Sequence, residues 1–205
     1  MKRYKSRLNS SRPKQRDEAI NEIMAVYIME TKLKYPVIHW EEKTISKYDV
    51  DFVILNGDDN IYCEVKTLTW QSELTQKERL GDRKDLPKYI HAEGHWVAPW
   101  QNIRHALYKS VPKFLPNCMN LVILIPDLFY FPSINSKKSI NLDIDIALHE
   151  DNGVYNNEKG YFVNKDYENI GGILILKCKL RSFPSRIEHK YKFFANEYAK
   201  KPFSI

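Results

Sequence analysis

The sequence predicts an α/β protein with a mixed sheet, and three observations carry the prediction. Apolar residues recur at helical spacing over residues 15–34. Two apolar runs, 50–55 and 61–65, flank the turn signal Asn56-Gly57-Asp58. A second helical stretch over 100–114 leads into the unbroken aliphatic run Leu121–Ile125. A period of 3.6 beside short β-branched runs is the pattern of helices packed on a sheet.

Taken in order, Ile20, Ile23, Met24, Tyr27 and Ile28 set the first helix from Gln15 to about Lys34, with Asp17 and Glu18 suited to its first turn. Residues 35–40 read as a first strand, which Pro36 confines to an edge or to the strand start. Residues 48–67 read as a hairpin. Ile103, Ala106, Leu107, Val111 and Phe114 mark the buried side of the second helix, whose last turn Pro112 weakens. A buried strand follows at 120–126. Beyond Asp127, the alternation of Ile140, Leu142, Ile144, Ile146 and Leu148 predicts a half-buried strand; 172–179 and 188–196 predict two more. Asp143 and Asp145 then fall on a solvated strand face rather than in a second metal site. The expected organisation is a basic flexible tail (1–16) and one domain (17–205), with a core to about 126 and a C-terminal β elaboration over 127–205.

At 205 residues, 43% apolar and 13% aromatic, the chain can fill one core. No run approaches the length of a membrane span, and the basic start lacks a following apolar stretch, so no membrane partner and a cytoplasmic setting are expected. Three cysteines without metal spacing argue against a disulfide framework. The net charge of +6 resides in the tail: residues 1–16 hold seven Lys/Arg and no acid, leaving 25 basic against 26 acidic residues. A basic arm of this kind suits an acidic partner such as nucleic acid.

The hairpin carries the chemistry. Its first strand bears Asp51, and its second bears Glu64 and Lys66, two residues apart and on one face. Charges inside apolar strands cost several kcal/mol (roughly) unless they are paired or metal-bound. Register decides whether the three meet. A two-residue loop sets Asp51 opposite Glu64, and a four-residue loop sets it opposite Lys66. A loop of three or five residues without a bulge sends Asp51 to the far face.

Asp51, twelve intervening residues and then Glu64-Val65-Lys66 resemble the PD-(D/E)xK nucleases, the restriction-endonuclease-like superfamily. Val50 stands where many members have proline. The resemblance covers residues 15–126 and implies an αβββαβ restriction-endonuclease-like core. It also implies a Mg²⁺ site (Mn²⁺ substituting) on Asp51, Glu64 and the Val65 carbonyl, with Lys66 positioning the attacking water. A glutamate from the preceding helix often joins in this family: Glu22 is the first choice, Glu18 the reserve. Gln101 is a supporting candidate on the second helix. The implied activity is a nuclease, with DNA as the expected substrate and 5′-phosphate and 3′-hydroxyl products. A homodimer is in keeping with many enzymes of this fold.

The long stretch 68–99 mixes aromatic and basic residues. Arg83, Lys84 and Lys88, with Arg104 on the second helix, are candidate nucleic-acid contacts. His91 and His95 have helical spacing, but Gly94 weakens a helix there, and a zinc site is not expected. Two other readings stand beside the nuclease. One is a non-catalytic nucleic-acid-binding module of the same fold; the other is a purely structural salt-bridge cluster, which its desolvation cost disfavours.

Overall fold

The computed structural model describes residues 6–41, 49–68, 99–126, 139–150, 153–182 and 185–205. Arg83, Lys84, Lys88, His91 and His95 lie outside the described residues. The elements are α1 (Pro13–Thr31), β1 (Val37–Trp40), β2 (Phe52–Asn56), β3 (Asp59–Leu68), α2 (Pro99–Ser110), β4 (Met119–Pro126), α3 (Ser139–His149), β5 (Tyr155–Asn156), β6 (Tyr161–Phe162), β7 (Gly172–Ser182) and β8 (Ser185–Ala195). Short 3₁₀ helices follow α2 (Val111–Lys113) and precede β7 (Lys165–Asn169). Among the described residues, the first six of these elements run α-β-β-β-α-β.

Six strands form one mixed sheet in the order β1-β2-β3-β4-β7-β8. The β1/β2, β2/β3 and β7/β8 pairs are antiparallel, whereas β3/β4 and β4/β7 are parallel. The central strands are covered on both faces, as parallel strands require. On one face α1 packs Ala25, Val26, Ile28 and Met29 against Phe52, Ile54, Ile61, Cys63 and Val65. On the other, Ile103 and Leu107 of α2 and Ile144 and Ala147 of α3 pack against Val53, Val122, Leu124 and Ile173. The C-terminal hairpin β7–β8 thus extends the main sheet rather than forming a separate layer.

Two elements differ from the sequence expectation. Residues 139–149 form a helix, not a strand. Ile140, Ile144 and Leu148 repeat every four residues as well as every two, so period alone fits both states. Burial separates them: Ile144 and Ala147 are buried three apart, while Leu142 is 56% exposed. Asp143 and Asp145 therefore sit on a helix. The first helix is real but rotated from the expected face. Ala19, Glu22, Ala25, Val26, Ile28 and Met29 are buried, and Ile20, Ile23 and Tyr27 are exposed. Ala19 and Ala25 are fully buried while the larger Ile20 and Ile23 are exposed, so side-chain size does not mark the buried face of α1. The helix also starts at Pro13, a residue suited to the first helical position, so Asp17 and Glu18 lie beyond its first turn.

Candidate active site

The hairpin register places the motif. Asn56 pairs with Asp59 and Phe52 with Cys63, leaving the two-residue turn Gly57-Asp58. Gly57 has φ of 63°, the left-handed conformation such a turn uses and a glycine adopts without strain. The ladder ends at Phe52; extended by one residue, this register would set Asp51 opposite Glu64.

At Asp51 the strand bends. Its N–H still donates to Cys63 O (3.1 Å), but its carbonyl accepts from Glu41 N (2.8 Å) in the direction of β1. β2 thus starts at Phe52, whereas β3 continues to Leu68, and the last residues of β3 outrun their neighbour. An edge so exposed carries N–H and C=O groups in need of partners. The Asp51 carboxylate supplies one: its Oδ2 accepts the Val65 N–H at 2.8 Å. Asn21 of α1 reaches the same edge and donates from Nδ2 to Thr67 Oγ1 at 2.8 Å. Along an extended strand the N–H and C=O of one residue point the same way, so the Val65 carbonyl also faces this notch.

The notch opens into a cleft of about 550 Å³ lined by Asp51, Glu64, Val65 and Lys66, by Glu18 and Glu22 of α1, and by Asn102, His105, Lys109 and Lys113. Arg7 and Lys14 also line it. Five basic side chains face four carboxylates here. Glu64 is 1% exposed and Glu22 6%. Such carboxylates must be compensated, and the partners are definite. Glu64 Oε1 lies 2.5 Å from Lys66 Nζ and 2.6 Å from Lys113 Nζ. Glu22 is held by Arg7 in a fork of two 2.6 Å hydrogen bonds, and Glu18 lies 3.9 Å from the same guanidinium. Glu64 Oε2 is buried and has no hydrogen-bond partner among the described residues.

Burial, then the Glu64 and Glu22 carboxylates, push the Asp51 carboxyl well above the ordinary 3.8, against the pull of Lys113 and the Val65 N–H. Burial alone would lower the Lys113 ammonium, but the attraction of Glu64 and then Asp51 outweighs it, and the net direction is up. Burial, followed by repulsion from Asp51 and Glu64, raises the Cys63 thiol. On α2, burial and the Lys109 ammonium lower His105. The site therefore concentrates negative charge around Asp51 and positive charge around Glu64 Oε1.

The expected residues are not all gathered here. Gln101 is exposed on α2, and Asn102 and His105 line the cleft from that helix. Arg104 does other work. Its guanidinium donates to the carbonyls of Ala147 (3.1 Å), Ile146 (2.7 Å) and Glu150 (2.6 Å), closing the carboxyl end of α3, and lies 4.4 Å from the Trp100 ring centre. The cations that complete the cleft, Arg7 and Lys113, carry no motif of their own. The sequence groups Arg7 with the basic tail, and its position against Glu22 sets it apart.

The carboxylates and the Val65 carbonyl are hard oxygen donors, and the partnerless Glu64 Oε2 is a buried acceptor in need of a cation or a donor. This donor set fits a magnesium-type ion. Among the described residues, no three His, Cys, Asp or Glu side chains are drawn together closely enough to hold a metal as they stand. Glu64 is engaged by two ammoniums and Glu22 by a guanidinium.

No protein-family model matches the chain, and no curated protein matches it. Among solved structures, Pyrococcus furiosus SfsA in complex with Ca²⁺ aligns with a TM-score of 0.32 and 15% identity, covering 86% of this chain and 61% of SfsA. The chain thus spans less than two thirds of that neighbour. Among the described residues, no helix is long and apolar enough to cross a membrane.

Proposed function

We propose that the protein is a divalent-metal-dependent nuclease that hydrolyses phosphodiester bonds, with DNA as the expected substrate. The observation that carries this reading is the one cleft that Asp51, Glu64 and Lys66 line together, with the Asp51 carboxylate on the Val65 N–H, Lys66 on Glu64, and a buried Glu64 oxygen without a hydrogen-bond partner among the described residues. The α-β-β-β-α-β order and the sheet order β1-β2-β3-β4 support a restriction-endonuclease-like core around it.

Asp51, Glu64 and the Val65 carbonyl would hold Mg²⁺ or Mn²⁺, with Glu22 joining from α1. When bound, such an ion lowers the pKa of a water and offsets charge on phosphoryl oxygens. Lys66 holds its ammonium against Glu64 and orients the attacking water toward phosphorus. Asp51 is fixed by the Val65 N–H, so its orientation needs no reorganisation. The cations lining the cleft hold the phosphate backbone.

The test is incubation of the full chain with labelled single-stranded, duplex and branched DNA and with RNA, in EDTA, Mg²⁺ or Mn²⁺. Metal-dependent cleavage by wild type that Glu64→Ala and Lys66→Ala abolish is expected. An inactive wild type across the panel, or variants as active as wild type, overturns the reading.

One observation favours a non-catalytic nucleic-acid-binding module instead: the carboxylates are already engaged by Lys66, Lys113 and Arg7. Salt-sensitive DNA binding that survives both EDTA and Asp51→Ala would select it.

A further inference from the structure

Glu64 has more countercharge than its burial requires. One ammonium neutralises one carboxylate, and Lys66, two residues along the same strand, already does so at 2.5 Å. Lys113 brings a second ammonium to the same oxygen from a different part of the fold. Its position is built. Pro112 lies in the 3₁₀ turn that ends α2, and Val111 and Phe114 on either side are 8% and 5% exposed. With both flanks buried in the core, the intervening lysine is directed into the cleft, where its side chain remains 23% exposed. Lys66 is as exposed as Lys113, at 22% against 23%; what sets Lys113 apart is that it enters the cleft from the turn after α2, a different element from the strand that carries Glu64.

We propose that Lys113 is a phosphate-binding residue, passing from Glu64 to a non-bridging oxygen of the nucleic-acid backbone when a divalent cation takes the carboxylate. This role rests on the metal-dependent nuclease reading, and it adds a residue and a coupling to it. In the free protein Glu64 holds Lys113 and Lys66 on one oxygen, so a divalent cation arriving there competes with two ammoniums. Once displaced, the Lys113 charge is left beside the cation, where a phosphodiester anion neutralises it. Cation and nucleic acid therefore bind with positive coupling, and linkage makes the effect reciprocal. No bond is made or broken by Lys113; it contributes charge and position. A lysine present only to offset the burial of Glu64 would stay on the carboxylate and leave nucleic-acid binding untouched.

Duplex binding by one variant separates the two roles. Lys113→Ala, with Lys113→Gln as a second neutral variant and Lys113→Arg as the charge-preserving one, is compared with wild type as the full chain. Ca²⁺ binding is measured by calorimetry, and binding of a fluorescent 20-mer DNA duplex is measured in Ca²⁺ across a salt series. The neutral variants are expected to bind Ca²⁺ more tightly and the duplex about tenfold more weakly, with the salt slope reduced by about one. Lys113→Arg is expected to recover duplex binding. Unchanged duplex affinity and slope in both neutral variants, weaker Ca²⁺ binding in them, or no duplex binding by wild type overturns the role. Cleavage in Mg²⁺ is scored separately. A cleaving wild type with unchanged neutral variants rejects Lys113 alone, while a reduced salt slope without any cleavage upholds the contact and rejects hydrolysis.

Discussion

Asp51 Oδ2 accepts the backbone N–H of Val65 at 2.8 Å, so a carboxylate stands on β3 where β2 would otherwise have continued. That single bond fixes the Asp51 carboxylate in the cleft that Glu64 and Glu22 also line, where burial and then repulsion from those two carboxylates disfavour its charged form.

The first prediction follows from that repulsion. The folded state raises the Asp51 pKa above 3.8, through burial and then through Glu64 and Glu22. The folded protein therefore binds this proton more tightly than the unfolded chain. Stability falls as pH rises from 3.8 through the raised value, and the penalty is full above it. Asp51→Asn removes the penalty and keeps an acceptor for the Val65 N–H. At pH 7 in EDTA it is expected to gain about 1 kcal/mol, a rise in Tm of about 2–4 °C, with no gain below about pH 4. Calorimetry from pH 4 to 8 measures this, and an Asn variant melting below wild type at pH 7 refutes it.

Lys66→Ala is expected to lower kcat for Mg²⁺-dependent DNA cleavage by about 10²–10⁴, the range for a lost acid–base or positioning group. Steady-state kinetics with a saturating duplex separates this from a binding defect. A variant impaired only in KM would assign Lys66 to substrate capture instead.

Arg7 grips Glu22 with two hydrogen bonds of 2.6 Å, and Glu22 is buried. Arg7→Ala leaves that carboxylate uncompensated and is expected to cost about 1–3 kcal/mol. Glu22→Gln in the Arg7→Ala background is expected to recover part of the loss. Urea unfolding of the four proteins of this cycle gives the coupling directly; additive losses would show that the pair is not coupled.

Arg104 closes α3 through the carbonyls of Ile146, Ala147 and Glu150. Arg104→Ala is expected to lose about 1.5–3 kcal/mol of stability. Lysine, which lacks the planar fork, is expected to restore little of it. The salt slope of DNA binding should stay at the wild-type value. A reduced slope at wild-type stability would return Arg104 to the nucleic-acid interface.

How much of this is legible in the sequence depends on the range of the interactions. The hairpin is local: Asn56-Gly57-Asp58 supplies a left-handed residue where the turn needs one, and the two-residue loop sets the register that runs from Asn56 on Asp59 to Phe52 on Cys63. The second helix and β4 are equally legible, since the α2 apolar stripe and the unbroken run at 121–125 each suit one state. α3 is not, because its branched residues satisfy two periods at once and only packing of Ile144 and Ala147 against α2 and the sheet settles the matter. Nor is the buried face of α1, where Ala19 and Ala25 are buried while the larger Ile20 and Ile23 are exposed. The cationic half of the cleft is least legible. Arg7 and Lys113 are distant from Glu64 in sequence and carry no spacing that tertiary contact would betray.

The parallel pairing of β4 with both β3 and β7 also bears on how the chain matures. A hairpin cannot make a parallel pair, so each junction must wait for a distant segment, 119–126 for one and 172–175 for the other. A nascent chain that has emerged only as far as residue 126 owns every motif residue but leaves a flank of β4 bare, with Leu121, Val122, Ile123 and Leu124 ready to zip onto a stranger. The last third of the polypeptide is thus what makes the first two thirds safe to synthesise.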